Sequence, residues 1–214
     1  MSKSTGLENF KRQFKENKQL KNSTIAISAV LVLIIGYIVY RQFIFGPKEE
    51  KSKAAYFKGL NLAAKDSTDA AIVELTAVVK KYDGTKGGEI AQFTLARQYM
   101  TKGNFKKAID LLEDVSISDT YIAARVVGLQ GDCKSELGAF ADAAKLYEEA
   151  ASVNENEYTS PEYLFKAALV SELELKDFAK ALELYERVRD NYGTFSSQKQ
   201  IEKYISRVSN KTLK

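Results

Sequence analysis

Two hydrophobic patterns divide the chain. From Ile25 to Tyr40 the sequence reads IAISAVLVLIIGYIVY, with no charge and no polar face. From residue 54 onward, apolar positions recur at the three- and four-residue intervals of amphipathic helices. Pro47 and Pro161 are the only prolines, so long helices are hardly interrupted. The pattern predicts an all-α protein with two parts: a single N-terminal apolar helix, and a longer helical domain whose stripes cover one another.

The apolar segment extends past Arg41 through Phe45. Ile25–Phe45 is 21 residues, about 31 Å at 1.5 Å per residue, which matches a bilayer core. Arg41 can snorkel to the headgroups, Tyr37 and Tyr40 stand at the expected interface, and Pro47 is expected to end the helix. A buried core helix would carry a polar face, which this one lacks. A cleaved signal peptide is the rival reading, but the following Arg41-Gln-Phe-Ile-Phe offers no small-x-small cleavage site. The expected layout is a basic cytoplasmic tail (1–22), a transmembrane signal anchor (23–45), a charged linker (46–53, with KEEKSK) and a helical domain (54–214).

Charge bears on orientation. Residues 1–22 carry six basic and two acidic side chains, and the remaining 192 residues carry 26 of each sign. Counted near the helix ends, Lys and Arg number five before it (8–22) and four after it (46–60), a small bias. The net +4 of the tail favours an N-terminus held in the cytoplasm and a C-terminal domain on the far side of the membrane. Leu7, Phe10 and Phe14 lie at i, i+3, i+7 among lysines. The tail is therefore either a short interfacial helix on anionic membrane lipid or a disordered stub that only sets topology.

Beyond the linker a motif repeats. Gly103-Asn104-Phe105-Lys106-Lys107-Ala108, Gly138-Ala139-Phe140-Ala141-Asp142-Ala143 and Lys176-Asp177-Phe178-Ala179-Lys180-Ala181 each place an aromatic three residues before an alanine. Thr68-Asp69-Ala70-Ala71 is a degenerate copy without the aromatic. Ala71, Ala108, Ala143 and Ala181 are spaced 37, 35 and 38 apart. Apolar or aromatic residues follow each alanine at +4 (Leu75, Leu112, Tyr147, Tyr185) and at +7 (Val78, Val115, Ala150, Val188). Leu95, Ala96 and Tyr99 fit the preceding helix. Small residues let two antiparallel helices approach, the aromatic fills the seam, and glycine permits a left-handed turn. This pattern resembles the tetratricopeptide repeat (TPR). It implies a TPR-like α-solenoid of four helix pairs, closed by an amphipathic capping helix with Ile201, Tyr204, Ile205 and Val208 on its apolar face.

Composition removes most catalytic readings. There is no histidine, so imidazole acid–base chemistry and histidine-ligated metal sites are excluded. Cys133 is the only cysteine, which rules out an intrachain disulfide and a thiolate zinc cluster and reads as a small apolar residue on a packed face. Gly84-Thr85-Lys86-Gly87-Gly88 lacks the spacing of a phosphate loop, and Glu155-Asn156-Glu157 reads as a solvated turn instead of a calcium site. The expectation is no enzyme, no cofactor, no metal, no nucleic acid and no small-molecule substrate. What remains is surface. Registering the repeats on their alanines puts Tyr56, Phe93, Arg97, Met100, Arg125, Asp132, Tyr163 and Lys166 on the face where first helices would line a partner groove.

The whole order resembles the YfgM-like family of inner-membrane TPR proteins, in its shorter-repeat bacteroidal form. The features behind this are Phe14-Lys-Glu-Asn-Lys18, a helix running into Tyr40-Arg41, a charged linker, Gly131-Asp132 and Asn154-Glu-Asn-Glu-Tyr-Thr-Ser-Pro161. The resemblance implies a bacterial inner-membrane protein with its repeat domain in the periplasm, an ancillary subunit of the SecYEG translocon partnered with a PpiD-like chaperone, that handles newly exported proteins. Two function classes stay open at this point: that adaptor, and a structural scaffold of another cell-envelope complex.

Overall fold

The computed structural model describes residues 6–117 and 119–212; the side chains of Leu7 and Phe10 lie outside the described ones. Among the described residues every regular element is helical. In order these are α1 (Gly6–Glu16), α2 (Lys18–Tyr40), a π-helical stretch (Arg41–Phe45), α3 (Gly46–Ala64), α4 (Thr68–Lys81), α5 (Lys86–Thr101), α6 (Phe105–Glu113), α7 (Thr120–Glu136), α8 (Phe140–Val153), α9 (Thr159–Leu173), α10 (Phe178–Asn191), α11 (Gly193–Lys199) and α12 (Ile201–Thr212). The chain divides into two compact units, Met1–Glu50 and Lys51–Lys214, and the division falls inside α3.

In the first unit, Asn17 breaks the helix between α1 and α2, and its Oδ1 accepts the Gln19 N–H at 2.9 Å, capping the start of α2. The large apolar side chains from Ile25 to Ile44 stand 47–72% exposed, so this surface finds no cover among the described residues. Here lies the one helix, among the described residues, long and apolar enough to cross a membrane. Pro47 does not end it, contrary to expectation. The π-helical stretch just before it shifts the ladder by one residue, and the Gly46 N–H bonds the Arg41 carbonyl instead of the carbonyl four residues back. That register shift accommodates a ring that has no N–H and would otherwise press on the preceding turn. The charged residues 48–53 accordingly continue as the first turns of α3.

In the second unit, α5/α6, α7/α8 and α9/α10 form expected pairs, and α12 packs against α10 at the end; α3 meets α4 through Gly59 against Leu75 and through the Lys58–Glu74 ion pair at 2.7 Å. Ala71, Ala108, Ala143 and Ala181 are all fully buried, each on the second helix of its pair. The turns share a further register. Asp66, Gly103, Gly138 and Lys176 all have positive φ (55, 71, 76 and 57°), each five residues before the alanine. The left-handed residue is thus a property of the repeat, kept even where glycine is replaced. The core runs in three segments: one around Leu75 and Tyr82 (α3–α5), one around Leu112 and Cys133 (α5–α7), and the largest around Leu164, Leu184 and Tyr185 (α7–α12). The glycines at 87 and 88 mark close packing at the start of α5. A Cβ on Gly87 would lie 2.4 Å from the Ser52 backbone, and one on Gly88 2.1 Å from the Tyr82 carbonyl oxygen. Thr85 caps this helix, accepting the Gly88 N–H at 3.1 Å and donating to the Tyr82 carbonyl at 2.6 Å. The resemblance to a phosphate loop thus comes from helix packing.

Candidate functional site

The eight groove candidates separate into two groups. Tyr56 on α3 is half-buried and stacked on Phe57, ring centroids 4.5 Å apart. Phe93 and Met100 on α5 are half-buried against the core around Ala96 and Leu112, while Arg97 is exposed. No hydrogen bond or ring contact ties these four to the rest.

The second group is drawn together. Asp132 on α7 pairs with Lys166 on α9 at 2.8 Å. It also accepts the Tyr147 hydroxyl of α8 at 2.7 Å. The Tyr147 and Tyr163 rings stack with centroids 6.4 Å apart, and the Lys166 ammonium lies 5.6 and 5.7 Å from their centres. Two glycines of α7 make room for the pair. A Cβ on Gly128 would fall 2.1 Å from the Tyr163 ring, and one on Gly131 2.7 Å from the Tyr147 ring. Tyr163 is only 4% exposed, so it supports the face and offers little of itself. Burial pushes its phenol up to about 12, with the Arg125 charge pulling the other way. Burial first, and then the Asp132 charge, carry the Tyr147 phenol further above its ordinary range, so both hydroxyls remain protonated donors. Arg125 is exposed.

The repeat pattern placed Tyr147 only as a packing position; its bond to Asp132 escaped the sequence reading, and so did a second copy of the arrangement. Glu172 on α9 is 1% exposed; it accepts the Tyr185 hydroxyl at 3.1 Å and the Arg207 guanidinium at 2.6 Å, with Lys211 at 3.4 Å. Each joint uses a carboxylate on a first helix, a tyrosine four residues past the repeat alanine, and a cation 34 or 35 residues beyond the carboxylate. Arg207 thereby puts α12 in the role that α9 plays for α7. Burial alone would raise the Glu172 carboxyl; hydrogen bonds from Arg207 and Tyr185 outweigh it and hold the group below its ordinary value. The sequence did carry a signal. Leu164, Ala168 and Glu172 share one face at four-residue spacing, and a carboxylate on a core face calls for partners.

Cys133 is fully buried, and its thiol is pushed up to about 11 by burial and then by Asp132. In the loop before α9, Asn156 accepts the N–H groups of Tyr158 (2.8 Å) and Thr159 (2.9 Å), which makes the segment a helix start. No group of three or more metal-ligating side chains occurs among the described residues.

Comparison with known proteins agrees with this architecture. Two crystal structures of MamA share the fold. The first is 20% identical, with 77% of this chain and 91% of that one covered and a TM-score of 0.55. The second is 22% identical, with 72% and 94% covered and a TM-score of 0.52. No curated protein matches by sequence. Residues 162–194, covering most of α9 and all of α10, match the tetratricopeptide repeat itself. The tetratricopeptide repeat-like domain matches residues 11–121, from the basic tail to the start of α7, and with more than half of its length so matched the chain belongs to that family.

Proposed function

We propose that the protein is a membrane-anchored interaction module working beside the protein-translocation channel of a bacterial inner membrane. In this reading the tail (1–22) is cytoplasmic, residues 23–45 span the bilayer, and the repeats face the periplasm. The observation that carries it is an apolar helix whose large side chains stand exposed, on the same chain as a helical-repeat stack. Repeat stacks of this kind bind polypeptides along their first helices. In the groove, the Arg97 and Arg125 guanidinium groups make no hydrogen bond or ion pair among the described residues, whereas Lys166 is engaged by Asp132. These two free cations give the groove a preference for acidic stretches of a partner. The repeat unit is close to neutral, so anchoring substitutes for long-range attraction by raising effective concentration at the membrane.

The resemblance to the YfgM-like family supports SecYEG and a PpiD-like chaperone as partners and newly exported proteins as clients. Photo-crosslinkers at Ile34 or Tyr37 should capture the channel laterally within the bilayer. Mild-detergent purification of the full-length chain should recover SecYEG or the chaperone, and the fragment 46–214 should lose the channel. Absence of the channel from both experiments overturns this reading in favour of a scaffold for another envelope complex.

A further inference from the structure

We propose a second binding site, at the loop edge of the last two repeats, that takes an arginine or lysine side chain from a bound polypeptide. It rests on the reading that the stack binds polypeptides and adds a position and a charge preference outside the groove. A cavity at this edge is lined by Tyr121 at the start of α7, Glu155, Glu157 and Tyr158 in the loop before α9, and Asn191 and Tyr192 at the end of α10. Tyr158 is 78% exposed, the most exposed large apolar side chain of the repeat unit among the described residues, and Tyr121 is 51% exposed. Water is a poor environment for these rings, and no ring contact engages them among the described residues.

The chemistry of the lining selects the ligand. Tyrosine faces attract cations, and guanidinium groups stack on them readily. Glu155 is paired with Arg187 at 3.1 Å, but Glu157 has no hydrogen bond or ion pair among the described residues. An unspent carboxylate beside two open aromatic rings favours a cation and disfavours an anion or a purely apolar group. The site is also held in shape. Asn156 donates to the Asn154 carbonyl and the Thr159 hydroxyl, both at 2.6 Å, and Ser160 donates to the Ala151 carbonyl at 2.7 Å. Tyr158 is thus presented on a stiff loop, which lowers the ordering cost of binding. The cavity is open to solvent, so it suits a side chain offered by a passing polypeptide better than an enclosed small molecule.

The test uses the full-length chain in lipid nanodiscs and fluorescence polarisation. The probes are a labelled glycine–serine peptide carrying three arginines and the same peptide with neutral citrullines. The arginine peptide should bind about tenfold more tightly than the citrulline peptide, and Tyr158→Ala and Glu157→Gln should each remove much of that difference. The double variant Arg97→Ala/Arg125→Ala should leave it intact. Circular dichroism checks that the Tyr158→Ala chain is folded, and Glu157→Gln, a conservative change at an exposed position, serves independently. Equal binding of the two peptides, or no effect of either loop variant, overturns the proposal. Loss confined to the Arg97/Arg125 variant overturns it while leaving the groove reading in place. Competition by free arginine amide as effective, per cation, as the peptide would overturn the polypeptide as the source. Arginine-selective binding at the loop together with no translocon crosslink would retain this site and remove the translocon reading.

Discussion

Lys176 and Asp66 hold a conformation that their repeat demands and that their side chains disfavour. A left-handed residue other than glycine costs about 1 kcal/mol, so Lys176→Gly should raise stability by about 0.5–1 kcal/mol. The urea midpoint of the repeat unit should move upward; a fall would mean that the Lys176 side chain supports the turn. Gly128 is the opposite case. Any Cβ there meets the Tyr163 ring, which is itself buried in the core. Gly128→Ala should cost about 1–3 kcal/mol, as should Ala143→Leu at its fully buried crossing. Unchanged denaturation midpoints would contradict the packing described. Cys133 supplies a probe of the same core. Its thiol is buried and pushed up to about 11, so a disulfide reagent at pH 8 should label it only after urea opens the fold.

At the scale of elements, the joints differ along the stack. The residue four past the alanine is Leu75 or Leu112 in the first two repeats, and a tyrosine bonded to a carboxylate in the last two. Polar joints demand complete pairing, and the Glu172 joint reaches it by recruiting α12. Its folded carboxyl lies below the ordinary 4.5, so the folded state binds that proton more weakly than the unfolded chain does. The resulting stability is fully present above about pH 4.5 and is lost as the pH falls through the folded value. Glu172→Gln should remove this part of the acid sensitivity and lower stability at pH 7 by about 1–3 kcal/mol, because a hydrogen bond to a charged partner is broken. An unchanged acid limb of the stability profile would refute the assignment. Deleting α12 should be worse, since Val188, Leu184 and Tyr185 share its core segment.

For the whole molecule, the two units differ in where their apolar side chains lie: exposed along the first and packed into cores in the second. Residues 46–214 hold all three core segments, so this fragment should be soluble and show a helical circular dichroism spectrum by itself. The full chain should stay with membranes after alkaline carbonate extraction. A fragment that is mostly coil, or a full chain released by carbonate, would break the division. Protease added outside a permeabilised outer membrane should degrade the repeats and spare the tail if the proposed orientation is right.

The sequence alone determined the helical class, the apolar helix of bilayer length and the repeat period. These follow from short-range regularities: an uncharged run of bilayer length, a 3.6-residue stripe and a recurring alanine. It also marked the turn glycines at 103 and 138, where the repeat needs a left-handed residue. Tertiary structure alone decided how Pro47 is carried through a continuing helix, because the register shift depends on backbone bonding that composition does not reveal. It alone showed that Asp132 and Lys166 spend their charges on each other. It alone placed Glu172 in a buried network with groups 13 to 39 residues away. A side chain's periodicity states which face it occupies. Whether its charge remains available to a partner depends on which distant groups the fold brings within hydrogen-bond reach.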